Sequence, residues 1–211
     1  MVSARPVLLL DLGVKAALVG LLLLGVTRPD LPQFDGDAYA VWRASLYPFT
    51  LLVVPLGWAL LARPRGVPFP YAVDVLIPLP LLLDVAAPRL YHSFEWWDKV
   101  MHVVSWGVLG AISVIVLARL GFRQVVTVVL ALLTGLLVAA LWELFEYLLW
   151  VRPSPELLTT AFADMQSDLT CDLAASLTAV VMTLVILARR GRTRVERRRS
   201  HGSRGASLLD W

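Results

Sequence analysis

Residues 142–147 read W-E-L-F-E-Y and residues 164–172 read D-M-Q-S-D-L-T-C-D, and each stretch lies in or against a long apolar run. The first run, Val125 to Trp150, carries Glu143 and Glu146 near its end. The second, Asp168 to Ala188, opens on Asp168 and Asp172, with Asp164 just before it. Apolar runs of this length suit helices that cross the roughly 30 Å hydrocarbon core of a bilayer. An ionisable side chain there is costly, and it points to a functional site whose partners have to be found.

Composition supports a membrane setting. Of 211 residues, 58% are hydrophobic and only 17% charged, with a mean hydropathy of +0.73. That balance is too apolar for a soluble domain of this size. The fold class is therefore all-α, a polytopic membrane protein. The single cysteine, Cys171, cannot form an intrachain disulfide and reads as a small buried hydrophobe.

Working outward, Val7 to Val26 is long enough to span. Its Asp11 and Lys15 are four residues apart and can pair along one helix face. Those internal charges, and the lack of a small-x-small site before Thr27, favour a span over a secretory signal. Thr27 to Arg43, with Pro29, Pro32 and Gly36, reads as a loop in which Asp30, Asp35 and Asp37 serve solubility. A second span covers Leu46 to Ala62 and ends in a basic turn, Arg63-Pro-Arg65-Gly66. A third, Tyr71 to Ala87, contains Asp74, Pro78, Pro80 and Asp84, and the prolines predict a kink or break. Pro88 to Asp98 reads as a short loop in which His92 is solvated. Lys99 to Leu120 is the fourth helix, Val125 to Trp150 the fifth and Asp168 to Ala188 the sixth, with a tight turn at Gly121-Phe-Arg123. The organisation is a six-helix transmembrane domain over residues 1–188 and a basic tail over 189–211, expected to be disordered.

Charge sets the orientation. With the N-terminus in the cytoplasm, that side holds Arg5, Arg63, Arg65, Arg119, Arg123 and the eight arginines of the tail. The other side holds Arg28, Arg43, Arg89, Lys99 and Arg152. This bias predicts both termini in the cytoplasm, with the tail against anionic lipid and no nucleic-acid partner.

The topology has a chemical consequence. Asp84, Glu143 and Glu146 fall near the outer ends of outward-running helices, and Asp98, His102, Asp164, Asp168 and Asp172 near the outer starts of inward-running ones. Most then lie within roughly 12 Å of the outer interface. Tyr91, Trp96, Trp97, Tyr147 and Trp150 mark an interfacial belt at that level. Asp98 and His102 are four residues apart, Glu143 and Glu146 three, and the aspartates from Asp164 to Asp172 continue in steps of four, so each set forms one helical stripe. Carboxylates gathered in a partly desolvated volume must retain protons or recruit a cation. Glu pairs and a His on facing helices are also how helix bundles hold metals. Asp98, His102, Glu146, Asp164 and Asp168 are the candidate ligands, Glu143 and Glu146 the candidate catalytic bases, and Asp84, Gln166 and Asp172 further members of the polar cluster. A divalent ion is the cofactor this set admits: Mg²⁺, Ca²⁺ or Mn²⁺ through oxygens, Zn²⁺ or Fe²⁺ if the imidazole takes part.

Each feature has a plainer reading. Asp98, Asp164 and Asp168 suit helix caps, Glu143 and Glu146 an interfacial seam, and Asp74 and Asp84 structural roles beside a broken helix. The convergence of separate segments argues for the site.

The segments D-K-V-M-H (98–102), W-E-L-F-E-Y (142–147) and D-M-Q-S-D-L (164–169) resemble the YjdF-like family of bacterial inner-membrane proteins over about Asp98 to Val185. The resemblance implies a multi-pass protein of the bacterial cytoplasmic membrane and marks Asp98, His102, Glu143, Glu146, Asp164, Gln166 and Asp168 as family positions; it implies no activity. Asp172 falls outside the matched part, and the glycine-rich approach to the D-x-Q-x-D segment is missing here. A D-K-x-x-H start followed by a late acidic helix is also distantly similar to the VanZ-like family, as a pattern only. Three classes of function follow: a metal-assisted enzyme on a lipid or envelope precursor; a transporter or binding protein for a cation, proton or head group; and a structural subunit. A transporter would draw its second half from a homodimer, because six helices without an inverted repeat are few for transport.

Overall fold

A computed structural model describes residues 4–31, 34, 39–87, 89–94 and 96–206, apart from the side chains of residues 4, 39–41, 92, 150, 155 and 190–206. Asp35, Asp37 and the side chains of His92 and Trp150 lie outside it. The described residues form helices α1 (Ala4–Thr27), α2 (Tyr39–Gly57), α3 (Tyr71–Leu76), α4 (Pro78–Ala86), α5 (Arg89–Ser93), α6 (Trp97–Arg119), α7 (Gln124–Glu146) and α8 (Leu158–Ala206), with no strand among them. Among the described residues five helical stretches are long and apolar enough to cross a membrane: Arg5–Thr27, Trp42–Arg65, Trp97–Arg119, Gln124–Leu149 and Leu158–Arg189.

The third expected span is broken. Pro78 and Pro80 supply no N–H, so α3 stops and α4 starts afresh across Ile77. The two pieces still run in line along α1. Asp74 of α3 meets Lys15, and Val85 of α4 packs with Leu18 and Leu22 further along α1 and with Tyr47 of α2.

Several boundaries differ from expectation. The segment up to Arg43 is not all loop, since α2 begins at Tyr39. The connection before α6 contains a helical turn, α5. The last helix begins at Leu158, ten residues before the expected Asp168, and continues past Arg189 to Ala206. The polar stretch before Asp168 hides helical periodicity from a reading based on apolar runs. The two tight turns are as expected: Gly66 and Gly121 adopt φ of 70° and 83°, and the amides that follow, on Val67 and Phe122, return to Ala62 and Leu117 carbonyls. That is how glycine closes a helix C-terminus.

Helices α6, α7 and α8 form a tight trio through small residues. A Cβ on Gly110 would lie 3.0 Å from the Ser176 carbonyl oxygen, and one on Gly135 would lie 2.9 Å from Ser176 Oγ. This close approach is the usual device for joining helices in lipid. It lets the Trp106 indole donate to the Gly135 carbonyl across the helix pair at 3.2 Å, and Val114, Ala131 and Val180 fill the contact below. Helices α1 to α4 form the other half. Val54, Val73 and Ile112 join the two. Leu23, Leu133, Leu137 and Met182 point away from both halves, as apolar side chains do when lipid is the solvent.

Candidate functional site

The starts of α6 and α8 and the end of α7 lie together, and this brings the carboxylates into one volume. Lys99 is the partner they require. Its Nζ donates to Asp98 Oδ2 at 3.1 Å, Asp164 Oδ1 at 2.6 Å and Asp168 Oδ1 at 2.6 Å. One residue identity thus ties α6 to two successive turns of α8. None of these aspartates caps a helix: Asp98 sits inside the first turn of α6, which has no side-chain cap, and Asp164 and Asp168 lie well inside α8.

Behind Lys99 the site becomes dry. His102 is 4% exposed, Glu143 7%, and Asp168 and Asp172 1% each. His102 Nδ1 lies 2.9 Å from Asp172 Oδ1, so the Nδ1 proton is donated to that carboxylate. Nε2 then faces Asp98 and Asp168, at 3.9 and 3.8 Å. The ring is held flat against Trp106, with centroids 5.2 Å apart and planes 11° apart. An imidazole tied by one nitrogen to a carboxylate and fixed in orientation is prepared to offer the other to a ligand. His102, Glu143, Glu146 and Asp168 each present one atom within 4.8 Å of the others, as do Asp98, Asp164 and Asp168. Lys99 sits against all three members of the second set and reaches the first through Asp168, which the two sets share. Glu143 Oε1 and Asp172 Oδ2 are buried without a hydrogen-bond partner among the described residues.

The expected members divide three ways. Asp98, His102, Glu143, Glu146, Asp164, Asp168 and Asp172 come together. Gln166 does not, because it points outward and contributes its backbone carbonyl to Thr170. Asp84 belongs to a separate network. Arg43 approaches it through Nε at 2.7 Å and Nη2 at 3.1 Å, and the Tyr47 and Tyr91 hydroxyls donate to it at 2.8 and 2.6 Å. Burial, then the Asp84 carboxylate, raise the Tyr91 phenol above its ordinary value, so it remains a donor. Tyr91 is thus an internal strut rather than a belt residue. A third group lies at the other end of α1, where Lys15 donates to Asp11 at 3.0 Å and Asp74 at 2.6 Å.

Sequence reasoning missed Lys99, Arg43, Tyr47 and Trp106. Lys99 and Arg43 enter the sequence reading only as outer-side charges that set orientation, although each stands beside an apolar run that needs a counter-charge. Trp106 lies four residues after His102, the spacing that stacks two side chains on a helix.

A cavity of about 740 Å³ runs between the halves, with Asp98, His102, Glu146 and Asp164 on its wall and Arg43, Asp84 and Tyr91 beside them. These features define an all-helical membrane protein with a buried carboxylate and histidine cluster at one end of an internal cavity. The sequence matches the family described as predicted membrane protein (DUF2238) over residues 14–189, and the chain belongs to that family. No curated protein and no solved structure matches it.

Proposed function

We propose that His102, Glu143 and Asp168 bind a divalent metal ion and that the protein is a metal-assisted enzyme acting on a lipid or envelope precursor. The observation that carries this reading is the convergence of His102, Glu143, Glu146 and Asp168 within 4.8 Å, with Glu143 Oε1 buried and without a partner among the described residues. A dry carboxylate oxygen without a donor is costly, and a cation removes the cost. Three protein ligands leave a coordination position open for water or substrate. Glu146 reaches both the ligand group and the cavity wall, which suits it to be the base that takes a proton from metal-bound water. Asp172 orients His102, and Lys99 holds Asp168 and offsets the outer aspartates.

Six passages, with α3 and α4 together making the third, support this chemistry near the outer leaflet of a bacterial cytoplasmic membrane and both termini in the cytoplasm. The course of α3 and α4 along α1 favours that count, and the arginine bias favours that orientation. With Cys171 replaced, a cysteine at Ser93 is expected to react with an impermeant reagent from outside and one at Ser200 only after the inner face is opened; the reverse pattern would overturn the orientation.

The deciding measurement is metal content of detergent-purified protein by elemental mass spectrometry. Near-stoichiometric metal is expected in the wild type and loss of it in Glu143→Gln/Asp168→Asn. Metal-free protein that takes up no added divalent ion would reject the enzyme reading in favour of proton or solute handling, to be measured as pH-dependent flux in liposomes.

A further inference from the structure

The cavity extends well beyond the charged cluster. From Arg43 to Val53 on α2, and from His102 to Ile112 on α6, its wall descends ten residues, or about 15 Å at the rise of an α-helix. That is half of a hydrocarbon core roughly 30 Å thick, the depth of a single leaflet. The wall changes character along this path. Arg43, Asp84, Asp98 and His102 line its upper end, whereas Val53, Ile77, Val108 and Ile112 line the lower one. Its volume of about 740 Å³ lies in the range of sites that enclose small-molecule ligands.

The cavity also has a side entrance. Leu46, Val53 and Val138 line it and are 40%, 56% and 39% exposed. They belong to α2 and α7, so the rim between these helices faces the lipid. Above the rim the two helices are joined by aromatic contacts. Trp42 of α2 lies 6.0 Å from Trp142 and 5.3 Å from Phe145 of α7 between ring centroids. This opening is lateral and apolar, while the charged end carries the exposed Asp164 on its wall. A lateral, apolar entrance suits a membrane amphiphile better than a water-soluble solute.

Charge complementarity selects the head group. Carboxylates dominate the upper wall, and Arg43 and Lys99 already engage them: Arg43 holds Asp84, and Lys99 holds Asp98, Asp164 and Asp168. An anionic group would enter among like charges, whereas an amine or hydroxyl would meet acceptors. We infer that the cavity takes one hydrocarbon chain of a membrane amphiphile, entering between α2 and α7, with an amine- or hydroxyl-bearing head group against Asp98, Glu146 and Asp164. The inference rests on the metal reading only for the reaction at the head group; the chain site stands on the shape and lining of the cavity.

The test uses the full chain in lipid nanodiscs and a long-chain amino alcohol carrying a mid-chain diazirine. After illumination, adducts are expected on Thr50, Val53, Val108 and Ile112. Val108→Trp should reduce this labelling severalfold, and Thr50→Phe, on another helix, serves if the first variant does not fold. Adducts confined to the outward-facing Leu133 and Leu137, or labelling indifferent to both substitutions, would overturn the chain site. An alkyl sulfate of the same length and diazirine position should label the cavity severalfold less; equal labelling would overturn the head-group assignment. Labelling is repeated after chelation with elemental analysis on the same samples. Cavity adducts in protein that binds no metal would leave this inference standing and reject the metal reading, whereas metal retained with adducts only on the outer surface would do the opposite.

Discussion

Two buried ionic groups line one cavity, and they are built on opposite principles. Around Asp84 each carboxylate oxygen has two partners: Oδ1 meets Arg43 Nη2 and the Tyr91 hydroxyl, and Oδ2 meets Arg43 Nε and the Tyr47 hydroxyl. Around His102, among the described residues, the carboxylates outnumber the cations, and oxygens of Glu143 and Asp172 are left without donors. A carboxylate engaged at both oxygens from several helices holds them in register, because its contacts are all made only in one arrangement. An unsaturated one keeps capacity for a ligand, at a cost in stability. This difference separates a strut from a site more clearly than burial does, since Asp84 and Glu143 are almost equally enclosed, at 6% and 7% exposure.

Breaking the saturated side should give the largest effect. Arg43→Ala leaves Asp84 buried with only the two phenols, and removing one partner of a buried pair costs about 3–5 kcal/mol. Thermal unfolding in detergent should report that loss, while metal content per folded molecule stays unchanged. If Arg43→Ala unfolded normally but lost metal, the assignment of strut and site would have to be exchanged.

The next effect belongs to the histidine's orientation. Asp172→Asn keeps size and polarity but removes the carboxylate that fixes the His102 proton on Nδ1. Changes behind a ligating histidine typically weaken metal affinity about 10–100-fold. Titration of metal-free protein with Mn²⁺ or Zn²⁺ measures this directly. Affinity unaltered in Asp172→Asn would remove His102 from the ligand set, because its ring would then have no dependence on that partner.

The same contrast explains what the sequence could reveal. Helices α1, α2, α6 and α7 were legible from apolar length, because lipid imposes a simple rule on their outer faces. The stripes at Asp98 and His102, at Glu143 and Glu146, and at Asp164, Asp168 and Asp172 were legible from helical spacing, since each stays within one element. What escaped depends on contacts between elements. Asp84 and Glu143 look alike in a string of letters, and only packing shows that Arg43, Tyr47 and Tyr91 reach the first and not the second. Gln166 shares a motif with Asp164 and Asp168 yet falls two residues off their stripe, which a helix turns to the opposite face. The early start of α8 escaped because its first turns mix polar and apolar residues, and it is Lys99, remote in sequence, that engages Asp164 and Asp168 there.

The smallest expected change in stability, and the sharpest test of the contrast, comes from Glu143→Gln in metal-free protein. Removing a buried carboxylate normally destabilises because a partner is stranded, as at Asp84. Glu143 Oε1 has no donor to strand, and an amide avoids the cost of holding a charge in a dry volume, so metal-free stability should stay within about 0.5 kcal/mol of the wild type or rise slightly. Metal then reverses the order. At a free ion concentration of 100 times Kd, a single site adds about 2.7 kcal/mol to the native state, and the wild type should gain it while the variant, missing a ligand, gains little. Melting temperatures of both proteins with and without the ion measure both parts. A large loss in the metal-free variant would show that Glu143 serves as a strut like Asp84. Equal stabilisation of both proteins by the ion would place the metal elsewhere, at Asp98, Asp164 and Asp168, where it would have to displace Lys99.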